Sequence, residues 1–208
     1  MNREEFFLKL RPSLAPSSIK DIELAYTLAK YSHRAQTRKE LGPDGEPLRY
    51  FEHVRRVALI LIDEVKYLDP DTIIAALLHD GIEDTRDLTP DMIEHTFGTQ
   101  AARVVMLLSK NPKEGYLERL LNSRSFRAFV IKGCDRLDNL RTLPPDPAFR
   151  QKQITETREK FYPLFDRMVE LAPVDRLPGA QWLRQAIIAE TERQAGILEG
   201  ERRAGASL

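Results

Sequence analysis

Hydrophobic positions in this chain recur every three to four residues, the period of a helix that presents one face to a core. Ile19, Ile22, Leu24, Ala25, Leu28 and Ala29 predict a helix, opened by a Ser18–Asp21 pair that resembles a capping box. Val54, Val57, Ala58, Leu61, Ile62 and Val65 predict another over 51–67. A short amphipathic helix is predicted at 3–10, before Pro12. Thr89-Pro90-Asp91 predicts a helix start and Gly98 its end. Further helices are predicted near 100–109, 113–122, 124–143, 148–170 and 179–199, with Pro163 breaking or kinking the fourth of these. Between Lys39 and Tyr50, Gly42, Pro43, Asp44, Gly45 and Pro47 predict a loop. No run alternates as a strand does, and no glycine-rich phosphate loop is present. The pattern predicts an all-α bundle of about eight to ten helices. Residues 1–175 would form the main domain, and 176–208 a C-terminal helix and frayed tail packed on it.

One stretch departs from this amphipathic rule. Ile73 to Leu78 is apolar on every side, which predicts a buried element over about 71–80. It runs directly into His79 and Asp80, with Glu83 and Asp84 close behind. Desolvated carboxylates are unfavourable unless they are paired, hydrogen-bonded or bound to metal. A metal ion is the first candidate for what neutralises them.

Composition narrows the classes. The 208 residues hold 32 Lys+Arg and 32 Asp+Glu, so net charge is zero. That balance argues against bulk electrostatic binding to nucleic acid or an anionic membrane, while leaving room for a local basic pocket. The single cysteine, Cys134, permits no internal disulfide, as suits a reducing cytoplasm. The start of the chain lacks the apolar core of a signal peptide, and no apolar run approaches the ~18 residues of a membrane span. A cytoplasmic protein is expected, and self-assembly into a homo-oligomer is left open.

The histidines are His33, His53, His79 and His95. His79 and Asp80 are adjacent, about 100° apart around a helix, so both reach one ion only at a helix end. Two more ligands must come from elsewhere, and His53 and Asp135 are the attractive candidates. Imidazole with carboxylate suits manganese, iron, zinc or magnesium. Asp135, Asn139 and Thr142, at i, i+4 and i+7, share a helix face. Each of these residues taken alone has an ordinary reading: Asp135 paired with Arg136 or Arg141, Arg38-Lys39 as surface charge, Tyr162 as core, His95 as surface, His33 as a structural residue near Glu83, and Cys134 as a small buried residue.

The motifs taken together resemble a known family. His79-Asp80, with an upstream histidine and a downstream aspartate, is similar to the metal signature of HD-domain phosphohydrolases. A-A-L-L-H-D-G-I-E-D-T resembles the hydrolase domain of RelA/SpoT homologues. So do S-H-R-A-Q-T-R-K, G-E-P-L-R-Y-F-E-H, F-G-T-Q-A-A-R-V-V-M-L-L-S-K, V-I-K-G-C-D-R-L-D-N-L-R-T-L and E-T-R-E-K-F-Y-P-L-F, in the family's order from about residue 22 to 170.

The resemblance implies a stand-alone small alarmone hydrolase with an HD-type bundle. It implies one Mn²⁺ ion, other divalent metals being compatible, on His53, His79, Asp80 and Asp135. Glu83 and Asp84 would position and deprotonate the attacking water. Arg38 and Lys39 would hold the purine and a nearby phosphate, and Asn139 and Thr142 would line the nucleoside side. Arg158 and Tyr162 would meet the phosphates, with Lys110 or Lys113 as further candidates. The implied reaction removes pyrophosphate from the 3′ position of (p)ppGpp, a small-molecule nucleotide. Three departures stand out. The 13 residues between Lys39 and His53 make a longer segment than the family's, Val54 stands where a proline is usual, and Asp138 stands where the family has histidine. The long segment leaves (p)ppApp and NADPH as alternative substrates. The alternative of another class is a non-catalytic nucleotide-sensing module, which would be expected to lose a ligand or the Glu83–Asp84 pair.

Overall fold

The computed structural model describes residues 2–205. Twelve α-helical segments lie among them, ten of eight residues or longer, with one small antiparallel hairpin. The described residues are therefore predominantly helical, as the periodicity implies, apart from that hairpin.

Helix α4 (Pro70–Leu78) is the axis of the bundle. Asp69 caps it by accepting from the Thr72 N–H, and Pro70 occupies the first turn. All of Thr72–Leu78 is buried, because α2 (Pro16–Ser32), α3 (Tyr50–Leu59), α7 (Thr99–Leu108) and α9 (Phe126–Arg141) pack around it. Surrounded on all sides, α4 needs no polar face. The short helix α5 (Gly81–Asp84) follows at once. Leu88 folds back over Gly81 so closely that a Cβ there would meet Leu88 Cδ1 at 2.5 Å.

The remaining segments are α1 (Arg3–Leu8), α6 (Pro90–Phe97), α8 (Tyr116–Ser123), α10 (Pro147–Glu156), α11 (Tyr162–Glu170) and α12 (Leu177–Gly205). α12 lies along α9, where Gly133 leaves room for Leu183 and Ile187, and Ala180, Leu183 and Ile187 belong to the same apolar core. The helix runs to Gly205 where the composition suggested fraying from about 199; residues 206–208 lie outside the described part.

Several boundaries differ from expectation for identifiable reasons. α2 begins at Pro16 with Ala15 as a cap that makes no side-chain bond, so Ser18 lies inside the helix and caps nothing. Proline's preference for the first turn outweighs the Ser18 signal. Pro163 does not end the helix of 148–170. The chain instead widens into a π-helical segment, Thr157–Phe161, and resumes as α11. A second π-helical segment, Ile60–Glu64, extends α3. The expected loop after Lys39 is a hairpin: β1 (Thr37–Leu41) pairs with β2 (Pro47–Arg49), matching Thr37 with Arg49 and Leu41 with Pro47. The Gly42 N–H donates to the Glu46 carbonyl at 2.8 Å, and Gly45 takes φ +80°, a conformation that glycine adopts without strain.

Candidate active site

The C-terminal end of α4, the first turns of α3 and the middle of α9 meet at one point. α3 supplies His53, α4 and its cap supply His79 and Asp80, and α9 supplies Asp135. His53, His79 and Asp80 are buried and offer three ligand atoms within 4.8 Å of one another. Asp135 joins them at the edge, its Oδ1 3.3 Å from His53 Nε2 and 4.0 Å from His79 Nε2.

Both imidazoles are held from behind. His79 Nδ1 lies 2.8 Å from the Ala76 carbonyl, which can only accept, so the proton is on Nδ1. His53 Nδ1 donates to Asp138 Oδ2 at 2.6 Å. With Nδ1 engaged in this way, each ring turns its Nε2 into the site, where it would offer a lone pair to a bound cation. His79 Nε2 is buried without a hydrogen-bond partner, although Asp80 Oδ2 lies only 2.9 Å away. Lone pairs facing carboxylates at this range call for a cation between them. That donor chemistry fits a divalent metal on two imidazoles and one or two carboxylates.

Electrostatics point the same way. Burial pushes His53 down, but the carboxylates of Asp135, Asp138 and Asp80 outweigh it and raise its pKa to about 10. Burial pushes Asp80 and Asp135 up, and is outweighed for Asp80 by both histidines and for Asp135 by Lys132 and His53, so both carboxyls are held well below the usual range. The site demands positive charge, whether as a proton or as a metal ion.

A polar shell fixes the carboxylates. The Tyr50 hydroxyl donates to Asp80 Oδ2 at 2.7 Å. Lys132 Nζ donates to Asp135 Oδ2 at 2.6 Å, and the Asn139 amide donates to Oδ1. Asp135 therefore pairs with neither Arg136 nor Arg141. Arg136 bonds Gln153 and Arg141 bonds Glu64. Asp138, which stands where the family has histidine, also takes Arg56 Nε at 2.6 Å, and Arg56 reaches Glu40 of β1 at 2.6 Å.

The other predicted residues fall into three groups. Arg38, on the inward face of β1, donates to Asn139 Oδ1 at 2.9 Å and Thr142 Oγ1 at 3.2 Å. Arg38, Lys39, Asn139 and Thr142 all line one cavity of about 240 Å³ with Tyr50 and Phe149, and Lys39 Nζ lies 4.9 Å from the Phe149 ring centre. Glu83 accepts from Lys110 N and Nζ, both at 3.2 Å. Asp84 faces solvent on its outer side. Flanking protein desolvates its carboxyl, and the Asp80 and Glu83 charges join to raise its pKa. Lys110 and Lys113 line a second cavity.

Arg158 is not brought to the site. It is exposed and bonds Glu192 of α12 at 2.7 Å. Tyr162 is half-buried against the core, and its hydroxyl has no partner. Phe161, beside Tyr162, lines the second cavity. His33 stacks on Tyr50 and bonds Gln36, not Glu83; Gln36 in turn donates to the Asp84 carbonyl at 2.6 Å. His95 is exposed and Cys134 is fully buried, with its thiol pushed up by burial.

Tyr50, Arg56 and Lys132 were not among the residues the sequence singled out, and Asp138 was noted only as a departure from the family, with no role at the site. Spacing carried a signal for three of them. Lys132 and Asp138 are three residues either side of Asp135, and Arg56 is three after His53, positions that share a helix face with a ligand.

The comparisons agree with this geometry. The HD-domain family matches residues 25–168. The chain is 37% identical over 163 residues to a guanosine-3′,5′-bis(diphosphate) 3′-pyrophosphohydrolase of Aquifex aeolicus, covering 74% of this chain and 22% of that protein. It is 38% identical over 168 residues to the bifunctional (p)ppGpp synthase/hydrolase SpoT of Escherichia coli K12, covering 74% and 23%. The chain thus spans less than a quarter of the length of these relatives. A solved structure described as a metazoan ortholog of SpoT that hydrolyzes ppGpp superposes with a TM-score of 0.60 at 28% identity, over 85% of this chain and 96% of that one. No helix among the described residues is long and apolar enough to cross a membrane. A match over residues 25–168, with His53, His79, Asp80 and Asp135 converging inside it, places this chain in the HD-domain family.

Proposed function

We propose that this protein is a metal-dependent hydrolase of the 3′-pyrophosphate of (p)ppGpp, releasing pyrophosphate and GDP or GTP in the cytoplasm, with residues 1–175 as the hydrolase domain and α12 as its buttress. The observation that carries this reading is the buried His53–His79–Asp80 set, whose ring nitrogens are oriented inward by Asp138 and Ala76. The names of the relatives supply the substrate class.

His53, His79, Asp80 and Asp135 would hold one divalent ion, with Mn²⁺ as the ion the family resemblance favours. When bound, such an ion lowers the pKa of a water and withdraws charge from phosphoryl oxygens. Tyr50, Lys132 and Asn139 hold the carboxylates in place. Glu83 and Asp84 sit one turn beyond His79 and accept the proton of the attacking water. The raised pKa of Asp84 makes it a better proton acceptor than an ordinary aspartate. Arg38, Lys39, Asn139 and Thr142 bind and orient the nucleoside half in their cavity. In the step itself, the water oxygen joins the phosphorus, the bond from that phosphorus to the ribose 3′ oxygen breaks, and that oxygen takes a proton.

The hairpin that lengthens the segment before His53 puts Thr37–Glu40 in the wall of this cavity. That observation favours testing an adenosine alarmone beside the guanosine one. The experiment is side-by-side turnover of ppGpp, ppApp and NADPH by Mn²⁺-loaded protein. Release of pyrophosphate from ppGpp is expected. Folded, metal-loaded protein that turns over neither alarmone would overturn this reading in favour of a nucleotide-sensing module.

A further inference from the structure

Two of the chain's departures from the family pattern meet at one side chain. The long segment before His53 folds as the β1–β2 hairpin and carries Glu40. Asp138 lies on α9. Arg56, one turn beyond His53 on α3, stands between them. Its Nη2 donates to Glu40 Oε2 at 2.6 Å, and its Nε donates to Asp138 Oδ1 at 2.6 Å. The other oxygen, Asp138 Oδ2, accepts from His53 Nδ1 at 2.6 Å. A chain of hydrogen-bonded ionisable groups thus runs from the hairpin to a metal-ligating histidine.

The distances within this chain reveal a competition. Arg56 Nη2 also lies 3.3 Å from Asp138 Oδ2, the oxygen that His53 uses. A guanidinium prefers to meet a carboxylate through two parallel N–H···O bonds. Nε on Oδ1 is already in place, and Nη2 closing on Oδ2 would complete the fork. That second bond stays long while Nη2 makes its short bond to Glu40. Glu40 therefore draws the guanidinium arm aside and leaves Oδ2 to the imidazole. The Asp138 side chain is only 2% exposed, so water offers its oxygens no alternative partner, and any shift of Arg56 is felt at His53.

We infer that Glu40 is a positioning residue of the metal centre: by holding one arm of Arg56, it keeps Asp138 bonded to His53 and so keeps His53 Nε2 aimed at the other ligands. The hairpin then has two roles. It walls the nucleoside cavity, which Glu40 also lines, and it supports a metal ligand from behind. The long segment and Asp138 acquire one physical purpose, with Arg56 as the link. The inference rests on the metal-centre part of the reading above and on none of its nucleotide chemistry.

The test is the Mn²⁺ affinity of nucleotide-free protein, measured by competition with a fluorescent chelator. Glu40→Ala is expected to bind Mn²⁺ about fivefold more weakly, less than the loss of about 10- to 100-fold that follows removal of a group touching the histidine itself. Glu40→Gln keeps an acceptor at the same reach and is expected to stay within about twofold of wild type. Arg56→Met removes the competing arm, so adding Glu40→Ala to it is expected to change affinity by less than about twofold. Leu41→Ala, on the same strand and 58% exposed, is the control for a loosened hairpin and is expected to match wild type. An unchanged affinity in Glu40→Ala overturns the inference. So does a loss that Glu40→Gln shares in full, or that persists beside Arg56→Met, because a missing negative charge would then be acting directly on the ion. An equal loss in Leu41→Ala overturns it as well, leaving hairpin order as the cause. If Arg56→Met does not fold, the comparison of alanine and glutamine at position 40 decides alone. Wild type that binds no Mn²⁺ would overturn the metal centre and this inference together. Mn²⁺ bound with no turnover of nucleotide would overturn the hydrolase reading alone, and the affinities would still decide the role of Glu40.

Discussion

The two ends of α4 both carry an aspartate, and the two are treated oppositely. At the N-terminus, Asp69 accepts from the Thr72 N–H at 3.0 Å and from Arg127 Nε at 3.1 Å. Every group there has its partner, and the cap is a finished structural device. At the C-terminus, Asp80 faces His79 Nε2 and His53 Nε2 at 2.9 and 3.6 Å, and His79 Nε2 makes no hydrogen bond. Asp69 meets only its donors, whereas Asp80, although it accepts from Tyr50, lies against a buried ring nitrogen that has no hydrogen-bond partner. Unmet buried donors and acceptors have a cost in stability, so a protein that retains a set of them is holding a place for something. The apolar stretch between, Ile73–Leu78, packs on every side and keeps the waiting end rigid.

Removing a ligand should show the sharpest contrast. Asp135→Ala is expected to abolish stoichiometric Mn²⁺ binding and to lower turnover by on the order of 10³-fold, since a bound ion supplies several kcal/mol of charge stabilisation. Metal content by elemental analysis, read beside turnover, checks it. Chelator treatment of wild type should match the variant, and Mn²⁺ should restore only the wild type. Metal retained at full occupancy in Asp135→Ala would remove α9 from the centre.

The acid pair should separate chemistry from binding. Glu83→Gln and Asp84→Asn are expected to keep the metal and lose on the order of 10²-fold or more in turnover, the worth of a positioned proton acceptor. Full activity in Glu83→Gln would leave Asp84 as the base and Glu83 as the partner of Lys110. Asp138 comes next in size. Asp138→Ala should weaken Mn²⁺ affinity by about 10- to 100-fold, the usual effect of removing the group that orients a ligand histidine. Asp138→Asn, which keeps an acceptor for His53 Nδ1, should recover part of that loss. Competition with a fluorescent chelator measures both.

How much of this was legible beforehand follows from the physics of each element. α3 announces itself because most of its buried positions are apolar at helical spacing, and α4 because its run is apolar on every side. His79 and Asp80 stood out as candidate ligands because histidine and aspartate at the end of an apolar run have few structural excuses, and the fold brings His53 and Asp135 to them. The hairpin was not. Its strand T-R-K-E-L turns Arg38 and Glu40 inward, and both are charged, so no apolar alternation exists to be read. Their places are set by partners 16 to 104 residues away, Arg56 for Glu40 and Asn139 and Thr142 for Arg38. Strand propensity reports local fit and carries no such information. Arg158 fails for a related reason: its partner Glu192 lies 34 residues away on α12, so local i, i+4 spacing carried no information about where its guanidinium goes. Asp138 looked like a departure from the family and became a hydrogen-bonded support for His53 only once α3 and α9 were seen together.

The smallest effect tests the finished end of α4. Burial pushes the Asp69 carboxyl up, but Arg127 and Thr72 outweigh it and hold its pKa below the ordinary value. A carboxylate depressed in the folded state contributes stability above its unfolded pKa, about 3.9, and loses that contribution as pH falls through the folded value. Asp69→Ala should therefore cost about 1 kcal/mol at neutral pH, the usual worth of an N-cap. The gap between variant and wild type should narrow as pH drops below about 4, measured by urea unfolding of metal-free protein at each pH. Mn²⁺ affinity at neutral pH should stay within twofold. If Asp69→Ala instead weakened metal binding as strongly as Asp138→Ala, the two ends of α4 would be one coupled unit, and the division between a capped end and a waiting end would fail.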